Sequence, residues 1–187
     1  MAEPLPTPPG KMTREAYHRW AEAQPHGRFE LVAGEVVAMA PERIGHAETK
    51  AMAWLALRQA IAAAALECEA LPDGVTVVVD DATVYEPDAL VNCGERPDRN
   101  ATAAPNPVIV VEVVLPGTRA VDSGIKLTDY FRVPCIRRYL ILLAEQRRVI
   151  HHWRREDGGV ETRLIGAGPI ELDPPGITIT AEALFGA

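Results

Sequence analysis

The sequence predicts an α/β domain built on a mixed central sheet, with helices before and after it. Three observations carry this expectation. The run Val108-Ile109-Val110-Val111-Glu112-Val113-Val114-Leu115, opened by Pro107 and closed by Pro116-Gly117, is almost wholly β-branched and aliphatic, as in a strand buried on both faces. An alanine-rich stretch from about Ile44 to Leu66 has the composition of a long helix. Around these lie short Val-, Ile- and Tyr-containing runs separated by turn signals. A chain of 187 residues, 48% of them hydrophobic, is enough for a single core. One domain is expected over residues 13–187, after a proline-rich lead-in at 1–12 that is expected to be disordered.

The elements follow in order. Thr13 caps a helix in which Ala16, Tyr17 and Trp20 fall at helical spacing, and Pro25-His26-Gly27 ends it. Phe29 to Val32 and Glu35 to Ala40 flank Ala33-Gly34 as a hairpin. In the long helix, Met52, Leu55 and Ile61 are the expected core side, with Ala53, Ala56, Ala60 and Ala63 allowing close approach. Short strands are expected near Glu67–Ala70, Val75–Val79, Thr83–Tyr85 and Asp88–Cys93, the first two separated by the Pro72-Asp73-Gly74 turn. After the Glu112 strand come a helix over about Thr118–Phe131 and a strand pair at Arg138–Leu143 and Arg147–Arg154. Edge strands follow at Val160–Ile165 and Ile170–Leu172, and a last helical turn at Thr180–Leu184.

Composition narrows the function. Cys68, Cys93 and Cys135 are odd in number and far apart, so neither a disulfide framework nor a zinc site is expected. That usage suits a reducing compartment, and with no secretory or membrane-spanning pattern the expected location is cytoplasmic. The net charge of −7 speaks against indiscriminate nucleic-acid binding. Its distribution is uneven. Residues 119–163 hold ten basic and six acidic side chains, against nine and twenty elsewhere. A basic half beside acidic metal ligands suits a phosphate-backbone substrate, although scattered surface arginines would read the same way.

Chemistry concentrates on a few residues. Glu112 interrupts a buried strand, where an ionised carboxylate needs a cation or a metal. Asp88, entering another apolar strand behind Pro87, is a candidate partner in holding one ion; alone it would read as a turn cap. Two hard oxygen ligands favour Mg²⁺ or Mn²⁺. Lys126 lies on the helix that returns across the sheet, where an ammonium could steady an attacking hydroxide or developing phosphorane charge. It is one of three lysines, with Lys11 and Lys50, against sixteen arginines. Alternation sets Glu30 with Val32 opposite Phe29 and Leu31, and an exposed strand position is its commonest meaning. His46 reads as a helix-start residue that could touch a phosphate. His151 and His152, adjacent in a strand, face opposite ways and cannot chelate one ion.

Taken together, Phe29-Glu30-Leu31-Val32-Ala33-Gly34-Glu35-Val36-Val37-Ala38-Met39-Ala40-Pro41, His46, Glu86-Pro87-Asp88, Val110-Val111-Glu112-Val113-Val114, Pro116, Thr118, Asp122, Lys126, Tyr130-Phe131 and Tyr139-Leu140-Ile141 resemble the restriction-endonuclease domain family. This is the Uma-type branch of the PD-(D/E)XK nucleases. The resemblance spans about residues 13–165 and implies a restriction-endonuclease-like core and Mg²⁺- or Mn²⁺-dependent hydrolysis of nucleic acid, most simply DNA. It implies Asp88 and Glu112 at the metal, Lys126 at the water and Glu30 at the edge of the site. A homodimer is expected, since two-fold symmetry matches duplex cleavage. Three departures keep a second reading open, a nuclease-fold module that binds nucleic acid or a protein without cleaving. Val114 holds the usual lysine position, Leu115-Pro116-Gly117-Thr118 lacks the branch's serines, and Leu142-Leu143-Ala144 lacks its aspartate.

Overall fold

The computed structural model describes residues 10–114 and 120–186. Most of the proline-rich lead-in and the Leu115-Pro116-Gly117-Thr118 turn lie outside the described residues. Helix α1 (Arg14–Glu22) opens at Thr13, whose hydroxyl accepts the Ala16 N–H, as its sequence predicts. Strands β1 (Phe29–Val32) and β2 (Glu35–Ala38) form the hairpin, turning through Ala33 and Gly34, both at positive φ. Helix α2 (Ile44–Ala64) follows, then β3 (Cys68–Pro72), β4 (Val77–Asp80), β5 (Thr83–Tyr85), β6 (Ala89–Cys93) and β7 (Pro107–Val114). Helix α3 (Ala120–Tyr130) leads to β8 (Arg138–Leu143), β9 (Arg148–Arg154), β10 (Val160–Ile165), β11 (Pro169–Leu172) and β12 (Ile177–Thr180). A 3₁₀ turn (Glu182–Leu184) ends the described chain.

The α/β class holds, with a mixed central sheet in the order β10-β9-β8-β7-β6-β3. Only β7 and β8 run parallel, because α3 carries the chain back between them. The Glu112 strand is central, and its alternate side chains face two cores. Ile109, Val111 and Val113 join Ala53, Leu57 and Ile61 of α2, with the β11–β12 hairpin closing the same side. Val110 joins Leu90, Tyr85, Tyr130, Tyr139 and Ile141 on the side of α3. A smaller sheet, β2-β1-β5-β4, carries Glu30.

Three expectations are corrected. Cys68 and Cys93 form a disulfide, because β3 and β6 pair in a register that sets them opposite each other, with Cα atoms 4.0 Å apart. Spacing alone could not show that register; Cys135 stays free. Leu55 is exposed, although Ile61 is buried as expected, and α2 packs through it together with Ala53, Ala56 and Leu57. An alanine-rich helix is apolar on every side, so composition does not mark its buried stripe. Finally, the chain does not pass from the Ile170–Leu172 strand directly to a helical turn: Pro174-Pro175-Gly176 turns β11 into β12, a strand absent from the expected order. No helix among the described residues is long and apolar enough to cross a membrane.

His151 and His152 do face opposite ways, and both are buried. Burial, then Arg138, His152 and Arg163, push His151 down to about 4. The sign is clear: below about pH 6.5 the unfolded chain binds a proton that the folded imidazole refuses, so stability falls as pH drops toward 4. A shift from 6.5 to about 4 is worth up to about 3 kcal/mol. His151→Leu should remove that part of the acid sensitivity, read from urea midpoints at pH 7 and pH 4.5. Parallel losses in both proteins would show that His151 is not its source.

Candidate active site

The site forms where β6 begins, β7 ends, and β1, α2 and α3 converge. Asp88 immediately precedes Ala89, which pairs with Val111. Its own N–H donates to the Val111 carbonyl (3.0 Å), and its Oδ2 accepts the Val113 N–H (2.6 Å). Asp88 is therefore clamped to the backbone on both sides of Glu112. Burial pushes its carboxyl up to about 6, with Glu112 adding to the rise; the Val113 N–H, His46 and Lys50 oppose it.

Glu112 turns toward α3. Its Oε1 accepts from Lys126 Nζ (2.9 Å) and from the Tyr130 hydroxyl (2.7 Å), two side chains one helical turn apart. Lys126 Nζ also donates to Glu30 Oε1 (2.9 Å) and sits 5.0 Å from the centre of the Tyr85 ring. Burial alone would lower the Lys126 pKa, but Glu112 and Glu30 outweigh it and raise it, so the ammonium stays charged. Lys126 is thus a fixed cation and not a proton acceptor. Burial raises the Tyr130 phenol, and Glu112 reinforces it.

Glu30 is not exposed, contrary to its commonest reading as a strand residue; it is 8% accessible. Its Oε1 accepts from Lys126 Nζ on α3 and also from the Glu86 N–H (3.0 Å). Burial raises its carboxyl despite Lys126.

A second cation cluster adjoins the first; the sequence pointed to its Asp88 and His46 but not to the roles of Lys50, Arg28, Glu42 and Asp73. Lys50, 5% accessible, contacts Asp88 Oδ1 (3.3 Å), Asp73 Oδ2 (2.6 Å) and Glu42 Oε1. Burial would lower its pKa, but the hydrogen bonds to Asp73 and Glu42 leave it raised. Arg28 reaches Glu42 (2.9 Å), Asp73 (3.0 Å) and Glu86. His46 Nε2 lies 3.6 Å from Asp88 Oδ2 and 3.0 Å from the Val113 carbonyl, and its buried Nδ1 has no hydrogen-bond partner. One signal was available: Glu42, His46 and Lys50 recur every fourth residue, the spacing of one helix face.

Among the described residues, this network sets six carboxylates (Glu30, Glu42, Asp73, Glu86, Asp88, Glu112) against three permanent cations (Arg28, Lys50, Lys126). The excess is negative, and where it is buried, at Glu30, Glu86 and Asp88, a further cation would relieve it. Ligand atoms of Glu42, His46 and Asp88 lie within 4.8 Å of one another, close enough to share an ion. The donor set, two carboxylates and one imidazole, therefore fits a divalent metal ion. The sequence reading paired Asp88 with Glu112; here one Glu112 oxygen is engaged by Lys126 and Tyr130, while Glu42 and His46 stand beside Asp88.

Comparison with known proteins agrees with this architecture. The chain is 24% identical over 177 residues to an uncharacterised protein of Synechocystis, covering 94% of this chain and 92% of that one. Its fold is similar to the crystal structure of a "putative nuclease belonging to DUF820" from Anabaena variabilis. That match has a TM-score of 0.73 at 12% identity, over 93% of this chain and 97% of the other. The family model Uma2, described as "Putative restriction endonuclease", matches residues 14–182. With nearly its whole length matched, the chain belongs to the Uma2 family of restriction-endonuclease-like proteins.

Proposed function

We propose that this protein is a divalent-metal-dependent endonuclease that hydrolyses phosphodiester bonds of DNA. The observation that carries the reading is the excess of carboxylates around Asp88, beside an ammonium held charged by Glu30 and Glu112. Asp88 and Glu112 would hold Mg²⁺ or Mn²⁺, with His46 and Glu42 completing the ligand set. The ion would polarise a phosphate oxygen and acidify a bound water. Lys126 would place its positive charge against the phosphorane, and Glu30 would fix that ammonium in position. The Tyr130 phenol, held protonated by burial, would orient Glu112.

The test is conversion of supercoiled DNA by the full chain in Mg²⁺ and in Mn²⁺, with chelator as control. Nicking that persists in chelator would refute metal dependence. Cleavage of RNA but not DNA would move the substrate. Binding with no cleavage in either metal would favour the non-cleaving module, a reading supported by the doubly paired state of Lys126.

A homodimer suits duplex cleavage, and β10 is the place for it. It is a free edge of the central sheet and exposes Val160 and Leu164, 44% and 56% accessible. Light scattering should give twice the chain mass, and Leu164→Lys should halve it. A monomer at high concentration ends this part of the proposal alone.

A further inference from the structure

Lys50 touches two of the three groups that stand ready for a metal. Its ammonium bridges Glu42 Oε1 and Asp88 Oδ1, while His46 is the third member of the set. A buried lysine on that spot does what a divalent ion would do, neutralising the same carboxylates from the same side. It also has somewhere else to go. Asp73 Oδ2 holds it at 2.6 Å and belongs to the Pro72-Asp73-Gly74 turn, outside the ligand set. Glu42, at 30% side-chain exposure, is accessible enough to change partners.

We propose that Lys50 is a resident counter-ion of the metal site, competing with the divalent ion for Glu42 and Asp88 and withdrawing onto Asp73 when the ion binds. The proposal rests on the metal reading above. In the metal-free protein Lys50 keeps Asp88 and Glu42 paired; in the loaded protein it weakens the ion's hold. Affinity is then set by a side chain that need not touch the ion. Lys50 is a positioning residue in this scheme.

The experiment is calorimetric titration of the full chain with Mn²⁺ alone, without DNA, with circular dichroism to confirm each fold. Lys50→Met should bind Mn²⁺ about tenfold more tightly or better, and Lys50→Arg should stay near the native affinity. Asp73→Asn removes the alternative perch and should bind several-fold more weakly. Glu86→Gln removes the same charge without touching Lys50, and so gauges the general field. Native or weaker binding in a folded Lys50→Met, while the native chain binds and Asp88→Asn does not, overturns the competition and leaves the metal site standing. If Lys50→Met does not fold, Asp73→Asn decides: affinity no lower than that of Glu86→Gln overturns the proposal. Binding in none of the proteins overturns the metal reading, and this inference with it.

Discussion

Glu112→Gln is expected to lose DNA hydrolysis by roughly three orders of magnitude while keeping its fold. The amide fills the same space in β7 but cannot supply the negative charge that Glu112 presents at Asp88 and Lys126. Asp88 loses the neighbour that helps hold its carboxyl near 6, so it should ionise at lower pH in the variant. Lys126 keeps Glu30 at 2.9 Å, so no buried charge is orphaned. Stability should therefore shift by no more than about 1 kcal/mol, since one buried carboxylate leaves and its cation stays paired. Thermal melting and single-turnover cleavage, measured on the same preparation, separate the two effects. Native cleavage by the glutamine variant would remove Glu112 from the chemistry.

Lys126→Met should be damaging in both respects. Glu30 and Glu112 would face each other with no cation between them, and removing one partner of a buried pair costs about 3 kcal/mol or more. Hydrolysis should drop by about two to three orders of magnitude, because a fixed positive charge is lost where charge develops on phosphate. Mn²⁺ affinity should not fall, since the variant leaves the site more negative. The double variant Lys126→Met with Glu30→Gln should regain most of the stability and none of the activity. If the double variant cleaves normally, the lysine is a structural ion partner only.

The sequence made the sheet and part of the site readable, for different reasons. Arg138–Leu143 and Val160–Ile165 match their expected bounds to the residue, the first from a continuous apolar run and both from the turn residues beside them, which are local signals. Glu112 stood out because a carboxylate inside such a run is itself a local anomaly. Lys50 and Arg28 could not be found that way. Their partners, Asp73, Asp88 and Glu86, lie far along the chain, and only the packing of α2 and the small sheet brings them close. Glu30 shows the same limit, since period-two alternation gives its face but not what covers that face. The cysteines were misjudged because a disulfide depends on strand register, which spacing does not encode.

One further consequence follows from how far apart the contributors to the site lie. Lys126 and Glu30 are 96 residues apart in sequence, and Arg28 and Glu86 are 58. Each such contact closes a long loop, an entropic barrier that local helices do not face. The charged cluster can thus assemble only once β1, α2, β7 and α3 have all docked. A nascent chain emerging from the ribosome would hold its carboxylates apart, and would carry no assembled site until Lys126 had been made and folded back.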